Sequence, residues 1–205
     1  MHIRGDSDVA KEKYAAFIGE SDARTNGNAL SVLGRFETNK AHHVRIADNL
    51  IELCNGGSGI HAFKSHQVDI IHNTAYYNGA SPELNWGQIF VQVTDDIRIV
   101  NNILVSRPNQ PINSVGPDGG DQKSTRIVRA HNLYFGGLAP KLTGEGDLLA
   151  DPQFVNPSTD PTVANFQLKP TSPARKSGRQ ERFGPFPDLK GKPRSVPPTR
   201  GAYEK

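Results

Sequence analysis

His61, Phe63, Lys64 and His66 lie within six residues of one another, and Arg35, Phe90 and Gln92 occupy comparable places in neighbouring stretches of the chain. A β-elimination from a uronic acid needs a base to take the proton beside the carboxylate. It also needs positive charge to hold the enolate-like intermediate. Lys64 or His61 can supply the base, and Arg35 or a metal ion the charge. Phe63 and Phe90 can stack on sugar rings, with Gln92 and His66 completing the substrate-binding set. The plainer alternative is a solvated surface histidine and a lysine that only keeps a strand end soluble. Paired exposed aromatics are harder to set aside, since they mark a ligand, a partner or a covering loop.

The elements that must hold these residues repeat. Val44-Arg-Ile-Ala-Asp-Asn49, Val68-Asp-Ile-Ile-His-Asn73, Ile97-Arg-Ile-Val-Asn-Asn102 and Ile127-Val-Arg-Ala-His-Asn132 each place a β-branched residue five positions before an Asn. The interval is roughly 24 to 30 residues, which marks stacked units rather than an ordinary globular domain. Each unit is rich in Val and Ile at period two and is punctuated by Gly, Asn or Pro, so the units are strands. A stacked Asn suits a bent or left-handed backbone, and its amide can donate to and accept from the Asn above and below. Aligning Leu30-Ser-Val-Leu33, Ile60-His-Ala-Phe63 and Ile89-Phe-Val-Gln92 turns Leu30, Val32, Ile60, Ala62, Ile89 and Val91 inward. The columns Ser31, His61, Phe90 and Leu33, Phe63, Gln92 then face outward. In the fourth unit the same alignment puts Ile112 inward and Asn113 outward. Strict alternation would turn Lys64 inward unless the strand ends at Phe63.

With these repeats the chain resembles right-handed parallel β-helix proteins of the pectate-lyase-like superfamily. Asp151-Pro-Gln-Phe-Val-Asn-Pro157, Phe166-Gln-Leu-Lys-Pro-Thr-Ser-Pro-Ala174 and Gly201-Ala-Tyr-Glu204 are similar to the closing segment of many secreted bacterial members. The resemblance implies an all-β fold: a right-handed parallel β-helix, a solenoid of about 4–6 coils, closed by an irregular C-terminal tail. It also implies an extracellular or cell-surface location and a polysaccharide partner, acidic in character. Family members usually carry a secretory signal and more coils. This chain shows no signal peptide, and is expected to be a mature form, a truncated member or a piece of a longer reading frame. Calcium-dependent relatives hold Ca²⁺ with several acids on and near one coil. The matching stretch here, Gly56-Gly-Ser-Gly-Ile-His-Ala-Phe63, has none, whereas Ca²⁺ takes six to eight oxygen ligands. Asp95-Asp96 repeats the place of His66-Gln67 and reads as a turn device. Inverting hydrolysis needs two carboxylates across the scissile bond, and the outward columns supply none.

Composition fits one unit: residues 1–25 as a cap or leader, 26–150 as the coils and 151–205 as the closing segment of the same domain. Ser7 can cap a short N-terminal helix covering the open end. The net charge of +3 comes from 24 basic and 21 acidic residues, too small an excess to indicate nucleic acid. The tail gathers Arg175, Lys176, Arg179, Arg182, Lys190, Lys192, Arg194 and Arg200, read as a solvated basic terminus or a weak attraction for an acidic polymer. Cys54 is the single cysteine and packs as a small hydrophobe. No apolar run approaches membrane-spanning length, and a monomer without membrane contact is expected. Gly56-Gly-Ser-Gly59 lacks the Lys of a phosphate loop, the histidines lack zinc spacing, and no nucleophile elbow occurs. Two functions remain: a pectate-lyase-like protein acting on or binding an acidic polysaccharide, or a non-catalytic carbohydrate-binding or cell-surface structural module.

Overall fold

The computed structural model describes residues 2–4, 30–33, 41–84, 86–115, 124–140, 143–181 and 186–204. Among them are sixteen strands and no helix. The cap helix expected near Asp8 lies outside the described residues. Residues 2–4, within the segment read as a cap or leader, form an edge strand of the first sheet.

Three sheets of parallel strands each receive every third strand in chain order, and the first gains one extra strand at its end. The first runs β1 (His2–Arg4), β4 (Leu50–Glu52), β7 (Thr74–Tyr76), β10 (Ile103–Ser106), β13 (Leu133–Gly136) and β14 (Leu148–Leu149). The second contains β2 (Leu30–Leu33), β5 (Ser58–Phe63), β8 (Gly87–Gln92) and β11 (Asn113–Val115). The third contains β3 (Ala41–Ala47), β6 (Ser65–Ile71), β9 (Asp95–Val100) and β12 (Thr125–Ala130). A fourth, antiparallel pair joins β15 (Phe154–Asn156) to β16 (Asn165–Leu168), so the closing tail carries regular structure of its own.

Register follows the repeat. Ile60 pairs with Leu30 on one side and Ile89 on the other, and His61 with Ser31 and Phe90. Val44, Val68, Ile97 and Ile127 align across the third sheet. One core collects Ile60, Ala62, Ile89 and Val91 from the second sheet, Val68, Ile70 and Ile97 from the third, and Ile51, Ala75 and Leu104 from the first. Each Val, Leu or Ile among them contributes about 1.5–3 kcal/mol when taken out of water. The fourth unit departs from the expected alignment. Asn113, not Ile112, pairs with Ile89, while Ile112 still reaches the core. Pro111 cannot donate to a ladder, and its carbonyl instead accepts from Ser106 Oγ, so the strand starts late and slips by one residue.

The corners between strands are single residues with left-handed backbone. Asp48, His72, Asn101 and His131 have φ of 58°, 55°, 59° and 53°. Each directly precedes a stacked Asn, so the bend falls one residue earlier than expected. The Asn49, Asn73, Asn102 and Asn132 amides form a row. Asn49 Nδ2 donates to Asn73 Oδ1 (2.9 Å), Asn73 to Asn102 (3.1 Å) and Asn102 to Asn132 (3.0 Å). The row ends on Asp147, whose Oδ1 accepts the Asn132 backbone N–H at 2.6 Å. A second, shorter series links Asn78 to Gln88 (2.9 Å) and Gln88 to Ser106 (2.9 Å).

The tail covers the outer face of the first sheet. Leu50, Tyr76, Ile103, Val105 and Leu133 pack there against Phe154, Phe166, Leu168 and Ala174. It then crosses to the corner of the third sheet. Arg194 Nη2 donates to Asp48 Oδ1 at 2.6 Å and to the Gly201 carbonyl at 2.9 Å. Arg200 Nη1 donates to the Asn132 carbonyl at 2.8 Å. Both guanidiniums are buried. Two of the eight basic tail residues are therefore structural bolts, and the reading of the tail as a uniformly solvated terminus does not hold for them.

Candidate functional site

The outer face of the second sheet carries the residues singled out from the sequence. Ile60 and Ala62 enter the core, so alternation sends His61 and Phe63 the other way. The same holds for Phe90 and Gln92 on β8. The His61 ring stacks on Phe90 with centroids 4.9 Å apart and lies 6.0 Å from Phe63. Trp86 covers this pair, 4.3 Å from Phe90 and 5.4 Å from His61. His61 and Phe90 therefore face away from the core yet are buried, at 5% and 4% exposure. Phe63, Trp86 and Gln92 remain half-buried.

Trp86 comes from the excursion between β7 and β8, where the repeat carries no information. Its signal is Gly57: a β-carbon there would stand 2.6 Å from the indole ring, far inside any real contact. Gly57 thus makes room for the ring as well as forming part of a turn.

Burial sets the chemistry of His61. Desolvation pushes its pKa down to about 4, so the ring is neutral at pH 7 and binds protons weakly. A base must meet its proton, and this ring is enclosed by three aromatics. The folded pKa lies below the unfolded value near 6.5, so the unfolded chain binds more protons within that window. Stability is complete above pH 6.5 and falls as pH drops toward 4. His61→Phe should keep the stack and remove up to about 3 kcal/mol of that acid sensitivity. Urea unfolding of parent and variant at pH 7 and pH 4 reads the difference. An unchanged pH dependence would show that His61 does not titrate in this way.

Lys64 sits where β5 ends and β6 begins, as the strand-end reading requires. Its φ is 47°, and its N–H donates to the Gln92 carbonyl at 3.1 Å. The ammonium lies 5.4 Å from the Phe63 ring centroid, and desolvation draws its pKa below the ordinary lysine value. His66 belongs to the third sheet. Its Nδ1 is 3.9 Å from the Asp95 carboxylate, which also accepts from Thr125 Oγ1 at 2.6 Å and pairs with Arg126. Asp96 and Gln67 share a left-handed backbone, with φ of 58° and 54°, but they lie inside β9 and β6, so the expected turn is a local bend within a strand. Arg35 lies outside the described residues. The structure thus brings His61, Phe63, Lys64, Phe90 and Gln92 onto or beside one face and places His66 around the corner.

A Ca²⁺ site needs several carboxylate oxygens. Among the described residues the face bearing His61 and Phe63 presents none, and no three His, Cys, Asp or Glu side chains converge anywhere. These residues do not fit a Ca²⁺ centre.

A second concavity was not visible in the repeats. On the outer face of the third sheet Asp69 stands between Arg45 (3.3 Å) and Arg98 (3.2 Å), and Arg98 also pairs with Glu181 of the tail. Where the tail crosses this sheet it leaves a cleft of about 120 Å³. Ala47, Asp48 and Ile71 form its floor, with Phe186, Val196 and Pro198 along the tail side. Arg45 lies over the Phe186 ring, 4.5 Å from its centroid. The alternation of Arg45 and Ala47 on an outward strand face was the available signal. The tail partner, more than a hundred residues away, had none.

No model of a known protein family matches the chain, and no curated protein matches it in sequence.

Proposed function

We propose that the protein is a right-handed parallel β-helix resembling the pectate-lyase-like superfamily, and that it binds an acidic polysaccharide on the outer face of its second sheet. Three parallel sheets that take β1 to β13 in rotation support the architecture, as do the aligned registers of the third sheet and the row of amides at one corner. The observation that carries the function is the half-buried Phe63, flanked by Gln92 in register and by the Lys64 ammonium. An aromatic face for the sugar ring, an amide for hydroxyls and a cation for the carboxylate are the complement of a uronic acid unit. Burial of His61 favours binding over chemistry that uses this ring as base.

A second reading keeps β-elimination with Lys64 as base, because desolvation lowers its pKa below the ordinary lysine value and so makes its neutral amine more available. One experiment separates the two. The protein is passed over immobilised polygalacturonate and, separately, incubated with polygalacturonate, alginate and chondroitin, each with and without Ca²⁺. Retention that weakens about tenfold in Phe63→Ala, with no unsaturated product by ultraviolet absorbance, is the expected result. Product that vanishes in Lys64→Ala would establish the lyase instead. Absence of both retention and product would sink both readings.

A further inference from the structure

We propose that the cleft between the third sheet and the tail is a binding site for a single neutral pyranose ring, a terminal or branch sugar of the glycan. This rests on the carbohydrate-binding reading but uses a different face and different residues. Size comes first. A protein cavity of about 150 Å³ takes a benzene-sized guest, so a cleft of about 120 Å³ admits one six-membered ring with its substituents reaching out. It is too small for an oligosaccharide segment, since pockets for larger ligands run to about 300 Å³ and more.

Charge decides the class of ring. Among the described residues, the charged groups on the cleft are paired: Arg45 with Asp69, Glu181 with Arg98, Arg194 with Asp48. Among the described residues the lining has no excess charge with which to select an anion, and a uronate would have to share one of these arginines, each already engaged. The walls are amphipathic in the way a pyranose is. Phe186 is 47% exposed and Val196 69% exposed, offering apolar surface to the C–H face of a sugar. Gln180 and Asp48 stand on the same cleft and can exchange hydrogen bonds with hydroxyls. The site is also built in place, because Arg194 ties the tail to Asp48 and to the Thr199 and Gly201 carbonyls. A fixed wall binds without paying to order itself.

The test uses the intact protein and isothermal titration with methyl β-glucopyranoside, methyl β-galactopyranoside and methyl α-mannopyranoside, with galacturonate and phenol as competing classes. At least one neutral methyl pyranoside should saturate with a millimolar Kd. Phe186→Ala should weaken it about tenfold with an unchanged unfolding midpoint, and Phe63→Ala should leave it unaltered. Failure of all three glycosides to saturate, tighter binding of galacturonate or phenol, or full binding by Phe186→Ala would each overturn the proposal. Retention on polygalacturonate depends on Phe63 and not on Phe186, so either reading can fail without the other.

Discussion

Asn102→Leu should cost about 3–5 kcal/mol of folding free energy, a large part of what a domain of this size has in reserve. The side chain is fully buried and works in both directions. Its Oδ1 accepts the Asn73 backbone N–H at 2.9 Å, and its Nδ2 donates to the Ile70 carbonyl at 2.9 Å. Leucine would leave both main-chain groups without these partners inside the protein, at about 1–3 kcal/mol each. It would also interrupt the amide row between Asn73 and Asn132. Asn49→Leu, nearer the end of the row, removes its donation to Asn73 Oδ1 and to the Ala47 carbonyl, and should cost less than half as much. Urea unfolding of the two variants reads the contrast. Equal losses would mean that position within the row carries no weight.

Arg194→Met should release the tail. The guanidinium is buried between Asp48 and Glu204, and removing it leaves Asp48 without its buried cation while Glu204 keeps its bonds from Ser195 and Thr199, a change worth about 3–5 kcal/mol. Cleavage by an added protease should then begin within residues 180–204 while the strands of the three sheets stay protected. The effect should also depend on pH. Burial raises the Asp48 pKa in the folded protein, and Arg194 opposes that rise. Without the arginine the folded pKa climbs further above its unfolded value. The penalty is then full above the folded pKa and is relieved as pH falls toward the unfolded value. His72 adds in the same sense, because Arg194 also disfavours its protonated form. The stability difference between parent and variant should therefore shrink as pH falls from 7. A difference that grows on acidification would contradict this assignment.

Local alternation was enough to read the inward residues of β5 and β8 and the unbroken columns of the third sheet, because each strand satisfies its own period. The stacked amides were legible for the same reason, since one residue type recurs at one place. What escaped depended on distant chain. Alternation correctly sends His61 and Phe90 away from the core, but only the excursion carrying Trp86 decides that they are covered. The slip at Asn113 follows from Pro111, whose consequence appears only once Ser106 claims its carbonyl. Arg194 and Arg200 look like solvent-facing charges in sequence, yet their partners Asp48 and the Asn132 carbonyl lie far upstream. Asp147 matches no repeat at all, although it occupies the place where a fifth amide would stand.

That last substitution gives the amide row a direction and a terminus. Each amide passes a proton donor to the next, so their dipoles point the same way and accumulate. A carboxylate can receive at that end but has nothing to pass on. Asp147 takes the Asn132 N–H, the Tyr134 hydroxyl and the Gly144 N–H, which spends its lone pairs on β13, its corner and the turn that follows. A further asparagine stacked beyond it would find no donor facing it. The relay is one-way, and a fixed negative charge serves as its sink.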